Sequence, residues 1–258
     1  MIRSILFQGA YWTTSVFFAV TAAPLVLLPS RRPMSFWIGL YARVMRYWMR
    51  AIAGVAVTVR GREHLPAGPA IIAAKHQSWG DGFIMLTEAP DLAVVVGDHL
   101  ERYPLVSGIL RKMGAIVVDN CGGAFARASL VDDELTRAAA DERRILIFPE
   151  GHLSPVGERH RYRRGVFHMY KSYGRPAVPV ATNLGLFWPQ QSWRLTPGEA
   201  IVEFLPAIDP GLGKDEFMTL LERTIETRSL ELLGDRRPSG AVAEREPLPD
   251  PRPKALKA

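Results

Sequence analysis

Cysteine is almost missing from this chain of 258 residues. Cys121 stands alone, so no intrachain disulfide can form, and a reducing compartment such as the cytosol fits. Its surroundings, Asn120-Cys121-Gly122-Gly123, supply no base to generate a thiolate, which argues against thiol catalysis. The histidines His64, His76, His99, His152, His160 and His168 show no His-x3-His spacing and there is no Cys-x2-Cys, so no metal is implied. The chain also lacks a Gly-x-Ser-x-Gly elbow, an internal repeat and any recognisable RNA- or DNA-binding signature. The excess of 32 Lys and Arg over 26 Asp and Glu, net +6, therefore points to an anionic membrane surface and not to nucleic acid. An ordinary cationic surface is the plainer alternative.

Long charge-free runs are present. Residues 7–29 carry no charge, and these 23 residues would span about 34 Å as a helix, enough for a hydrocarbon core of about 30 Å. Pro24 would kink it, and Thr13, Thr14, Ser15 and Thr21 make it less apolar. Arg3 precedes this run while Arg31, Arg32, Arg43, Arg46 and Arg50 follow, so the positive-inside bias predicts an inner-membrane location with the C-terminal bulk on the cytoplasmic side. A cleaved signal peptide, with Ala22-Ala23 near the cut, is the competing reading. Against it stands the next segment, residues 35–57, rich in Trp and Tyr with Arg43, Arg46 and Arg50 on one helical face. That pattern predicts a helix in the plane of the interface with its guanidiniums among headgroup phosphates; a core helix is the alternative.

From residue 55 onward apolar runs alternate with helical stretches. Strands are expected at 55–60, 69–74, 92–96, 115–118, 145–148, 177–181 and 200–205, and helices at 100–113, 124–140, 166–173 and 215–233. The fold class this predicts is α/β, a mostly parallel sheet flanked by helices, with an N-terminal helical membrane anchor. Residues 1–57 form the membrane-associated helices and 58–233 the α/β domain. In 234–258, Pro238, Pro247, Pro249, Pro251 and Pro253 lie among charges, which predicts a disordered tail.

Sites in such sheets lie beyond the carboxyl ends of the strands. There the run 69–74 delivers Lys75-His76-Gln77-Ser78-Trp79-Gly80-Asp81. An imidazole can take a proton near neutral pH, and a carboxylate accepting its other N–H fixes the tautomer. Residues five apart on a helix point about 140° away from each other, so His76 and Asp81 meet only if the chain turns between them; Gly80 and Gln77-Ser78 allow that. The bland alternative has His76 capping the next helix and Asp81 in its first turn.

The His-x4-Asp motif, followed in order by Phe148-Pro149-Glu150-Gly151 and Val178-Pro179-Val180-Ala181 between residues 71 and 183, resembles the glycerolipid acyltransferase family that includes 1-acylglycerol-3-phosphate acyltransferases. The resemblance implies transfer of an acyl group from acyl-CoA or acyl carrier protein to the hydroxyl of a lysolipid, without an acyl-enzyme and without a cofactor. His76 would act as general base and Asp81 as its orienting carboxylate; Glu150, Gly151 and Asn120 fall in blocks that face the acceptor, with Gly151 letting backbone N–H groups approach an oxyanion. Two departures bear on the acceptor. His152-Leu153 stands where the family usually has Thr-Arg, and Asn120 where it has Arg, both arginines that meet the acceptor phosphate. Arg161, Arg163, Arg164 or Arg127 can substitute, Arg164 sitting before Gly165 as a basic residue often does in relatives; a solvated basic loop is the alternative. Lysophosphatidic acid is thus the leading acceptor and a lysolipid without a phosphomonoester, such as a lyso-ornithine lipid, the runner-up. Ser78 as a nucleophile served by His76, and a non-catalytic membrane-surface binding protein on the same fold, are the readings of other classes. Chain length of the acyl group and oligomeric state are left open.

Overall fold

The computed structural model describes residues 1–118 and 128–236; Asn120, Cys121, Arg127 and residues 237–258 of the expected tail lie outside them. Seven strands form one sheet in the order β1-β7-β6-β2-β5-β3-β4: β1 Val55–Arg60, β2 Ile71–Ala74, β3 Ala93–Gly97, β4 Ile116–Val118, β5 Ile145–Ile147, β6 Ala177–Thr182 and β7 Gly198–Phe204. Neighbours run parallel except β6 and β7, which are antiparallel. The mostly parallel α/β sheet expected from the alternating pattern is therefore present. β2 lies at the centre with all four residues buried. Its side chains alternate between layers: Ile72 and Ala74 face one apolar core, Ile71 and Ala73 the other.

The second core is closed by α5 Ala128–Ala140, α6 Gly165–Tyr173 and α7 Lys214–Leu233, which contribute Leu135, Met169, Tyr170, Phe217, Leu221 and Ile225. On the first face lie α1 Ile2–Ala22, α2 Arg32–Trp48, α3 Asp81–Glu88 and α4 Pro104–Met113. Phe7 of α1 and Met49, just beyond α2, are wholly buried against Trp188 and the sheet. Burying one such side chain contributes about 1.5–3 kcal/mol. The N-terminal helices are thus packed on the sheet layers, and the division expected at residue 57 falls inside β1.

The N-terminal segments break at Pro24 as expected and depart from expectation further on. The first helix begins at Ile2, and at Ala23–Leu27, where Pro24 stands at its start, the α-helix gives way to a 3-10 turn; proline cannot donate the N–H that a continued α-helix needs. The second helix ends at Trp48, a π turn covers Met49–Ala53, and the chain enters β1 two residues later. Of the three arginines expected among headgroups, Arg46 is instead used inside the fold: Nη1 donates to Glu88 Oε1 at 2.6 Å and Nη2 to Val57 O at 3.0 Å. Arg43 and Arg50 are exposed. At the far end, Gly234–Arg236 form a 3-10 turn where the tail was expected to start, and the Arg236 guanidinium lies 5.4 Å from the Phe187 ring centre.

Candidate active site

β2 and β5 are parallel neighbours, with Ile71 opposite Ile145, so the loops leaving their carboxyl ends lie side by side. His76 sits two residues beyond β2 and is held by the loop after β5 on several sides. Its backbone N–H donates to Glu150 Oε1 at 3.0 Å, and its carbonyl accepts the Ser154 N–H at 2.8 Å. Its ring stacks on Phe148 with centroids 3.9 Å apart and planes at 16°.

The chain then turns as the motif requires. Asp81 opens α3, yet its carboxylate reaches back: Oδ2 lies 3.1 Å from His76 Nδ1 and accepts the backbone N–H groups of Gln77 and Ser78, each at 2.8 Å. Both proposed placements of Asp81 therefore hold at once, in the first turn of a helix and beside the imidazole. Asp81 is buried, whereas the His76 side chain keeps 21% of its surface exposed. With Nδ1 donating its hydrogen to a carboxylate, Nε2 carries the lone pair and has no hydrogen-bond partner among the described residues.

Ser78 is fully buried. Its hydroxyl accepts the Gly80 N–H at 3.0 Å and makes no hydrogen bond to the imidazole, an arrangement unlike an activated nucleophile and its base.

Glu150, which the motif places toward the acceptor, is turned inward. Oε1 takes the His76 amide; Oε2 takes the Lys75 ammonium at 3.0 Å and the Ser154 hydroxyl. Lys75 also binds both oxygens of Glu226 from α7, at 2.8 and 3.0 Å, and Tyr162 OH donates to Glu226 Oε1 at 2.8 Å. Burial pushes the Glu226 carboxyl up and the Lys75 charge pulls it down, leaving it above the ordinary range. Burial beside Glu226 and Glu150 raises the Tyr162 phenol well above its usual value. A lysine closing an all-apolar strand signals such a buried countercharge, but nothing local to residue 226 points back to it.

Gly151 has φ +73°, and a Cβ there would run into the Arg163 side chain. Its own N–H closes the turn onto Phe148 O at 2.9 Å. Arg163 is brought over this turn, its Nε 3.4 Å from Glu150 O. Arg161 and Arg164 are exposed and make no side-chain hydrogen bond or ion pair among the described residues. Beside the His76 loop, a cavity of about 290 Å³ runs from Trp79 past Trp188 and Trp193 to Tyr11 and Trp12 of α1.

The family model described as Acyltransferase matches residues 56–183. A 1-acyl-sn-glycerol-3-phosphate acyltransferase of Pseudomonas aeruginosa is 31% identical over 215 residues, covering 80% of this chain and 80% of that protein. The human 1-acyl-sn-glycerol-3-phosphate acyltransferase alpha is 24% identical over 211 residues, covering 81% and 74%. Among solved structures, the 1-acyl-sn-glycerophosphate (LPA) acyltransferase PlsC from Thermotoga maritima superposes with a TM-score of 0.72 at 21% identity, over 90% of this chain and 97% of that one, a likeness of fold.

Proposed function

Because the chain belongs to the Acyltransferase family, we propose that it transfers a fatty acyl group from an acyl-CoA or acyl carrier protein thioester to the hydroxyl of a lysolipid, with 1-acylglycerol-3-phosphate as the acceptor and phosphatidic acid as the product. One observation carries the mechanism: His76 Nδ1 lies 3.1 Å from a buried Asp81 while the ring stays partly exposed. Nε2 takes the acceptor hydroxyl proton as the oxygen attacks the thioester carbonyl. The tetrahedral intermediate then expels the thiolate, and the imidazolium returns the proton to sulfur, so an ester and a thiol leave and no acyl-enzyme forms. Asp81 stabilises the charged imidazolium between the two steps.

For the acceptor phosphate, Arg163, which lies over Gly151 beside Glu150, is the candidate. A guanidinium there offers the bidentate contact that Leu153 cannot. Leu153 itself favours the second reading, an acceptor without a phosphomonoester. The aromatic cavity between Trp79 and α1 suits an acyl chain.

α1 supports attachment to a membrane surface. Within Ile2–Leu27 the mean hydropathy reaches 1.5 over an 18-residue stretch. One side is docked along the body, from Ser4, whose hydroxyl accepts the Leu195 N–H at 3.1 Å, to Phe18, whose ring lies 4.8 Å from Trp37. The opposite side presents Ile5, Leu6, Trp12, Val16, Phe17 and Val20 to the exterior. A helix fastened along its length cannot cross the bilayer alone, so it lies in one leaflet, on the cytoplasmic side by the charge bias of the flanking arginines.

The test is an assay of detergent-purified chain with labelled acyl-CoA and acyl-carrier-protein donors, each against lysophosphatidic acid and a lyso-ornithine lipid. Phosphatidic acid from the first acceptor is the expected product. Transfer only to the second reassigns the acceptor, and transfer to neither removes the proposal.

A further inference from the structure

We propose that Glu226 is a positioning residue: with Lys75 it fixes the Glu150 carboxylate, and through it the backbone of His76 relative to Asp81. Glu226 lies in α7, beyond residue 183 where the family match ends. For its effect on turnover this inference rests on the acyl-transfer reading of His76.

Donors and acceptors compete inside a dry cluster. The Lys75 and Glu150 side chains have no exposed surface and that of Glu226 keeps 6%. The ammonium gives hydrogen bonds to both Glu226 oxygens, at 2.8 and 3.0 Å, to Glu150 Oε2 at 3.0 Å and to Glu158 O at 3.3 Å. Held on the Glu226 side in this way, Lys75 leaves Glu150 Oε1 to the His76 N–H. If Glu226 is removed, one ammonium faces one carboxylate. A charge-assisted bond is roughly twice as strong as one from a neutral amide, so Lys75 would capture both Glu150 oxygens and displace the His76 N–H. The imidazole would then shift against an Asp81 that stays put, because Asp81 is held separately by the amides of Gln77 and Ser78.

These two sets of amides make the test. Residue-resolved hydrogen exchange at His76, Gln77 and Ser78, and steady-state kinetics with a labelled acyl thioester and lysophosphatidic acid, are measured on the full chain in detergent for the parent, Glu226→Leu and Glu226→Gln. In Glu226→Leu the His76 amide should exchange at least about tenfold faster while Gln77 and Ser78 keep the parent rates. kcat should fall about tenfold or more, as expected for a misplaced reacting group, with the acceptor KM within about twofold. Glu226→Gln keeps acceptors for Lys75 and Tyr162 and should lie between the two; if Glu226→Leu does not fold, Glu226→Gln decides by the same readings. An unchanged His76 amide overturns the proposal. So does equal acceleration at all three amides, which means a general loosening; an unchanged kcat; or a raised KM at constant kcat, which means a ligand contact. A parent without turnover overturns the acyl-transfer reading, and exchange at the His76 amide still decides the positioning.

Discussion

Ser154 and His76 are joined through their backbones, the Ser154 N–H donating to the His76 carbonyl at 2.8 Å, while the Ser154 hydroxyl donates to the same Glu150 that receives the His76 N–H. The loop after β5 therefore grips the peptide groups on both sides of the imidazole and leaves the ring to Phe148 and Asp81. Rigid support of this kind lets a side chain that keeps 21% of its surface exposed hold one orientation.

Ser154→Ala should remove the hydroxyl without disturbing the backbone bond. Losing one buried hydrogen bond to a charged acceptor should cost about 1.5–3 kcal/mol in denaturant titrations. Because the Ser154 amide still holds His76, kcat should drop by less than about tenfold. A variant as stable as the parent would show that the hydroxyl contributes nothing to the grip.

Glu88 fastens α2 to α3. Burial pushes its carboxyl up, but hydrogen bonds from Arg62 and Arg46 outweigh this and hold it below the ordinary range. A carboxylate whose folded pKa is depressed stabilises the fold above its unfolded pKa, and that contribution is lost as pH falls through the folded value. Glu88→Gln should therefore lower the unfolding midpoint at about pH 7, and the gap should close below about pH 4. A gap independent of pH contradicts this assignment.

The exposed side of α1 should govern attachment to lipid. Replacing Leu6, Val16 and Val20 together by Ser removes apolar surface that the body of the protein does not cover. Sedimentation with anionic vesicles should show weaker binding, with circular dichroism and thermal midpoint retained, since the docked residues Phe7 and Phe18 are untouched. Undiminished sedimentation would place the membrane contact elsewhere.

Much of this architecture is legible in the chain. The run 69–74 reads as a buried strand because every residue is apolar, as Ile71–Ala74 proves to be, and the turn from His76 to Asp81 is readable from Gly80. What the chain hides is pairing at long separation. Arg46 meets Glu88 across 42 positions and Lys75 meets Glu226 across 151, and no local pattern couples such residues. Hence Arg46 reads as a headgroup contact and Glu150 as a substrate contact, when one ties helices together and the other faces the interior. Which side of α1 is docked is hidden for a related reason: its two sides are both apolar, so composition alone does not say which one the protein covers.

The most direct test of the account is acyl transfer by His76→Ala, measured beside the parent with a labelled thioester and lysophosphatidic acid at matched vesicle binding. Loss of a general base predicts a fall in kcat of about 10²- to 10⁴-fold with the folded, membrane-bound state intact. Turnover within a few-fold of the parent would contradict it.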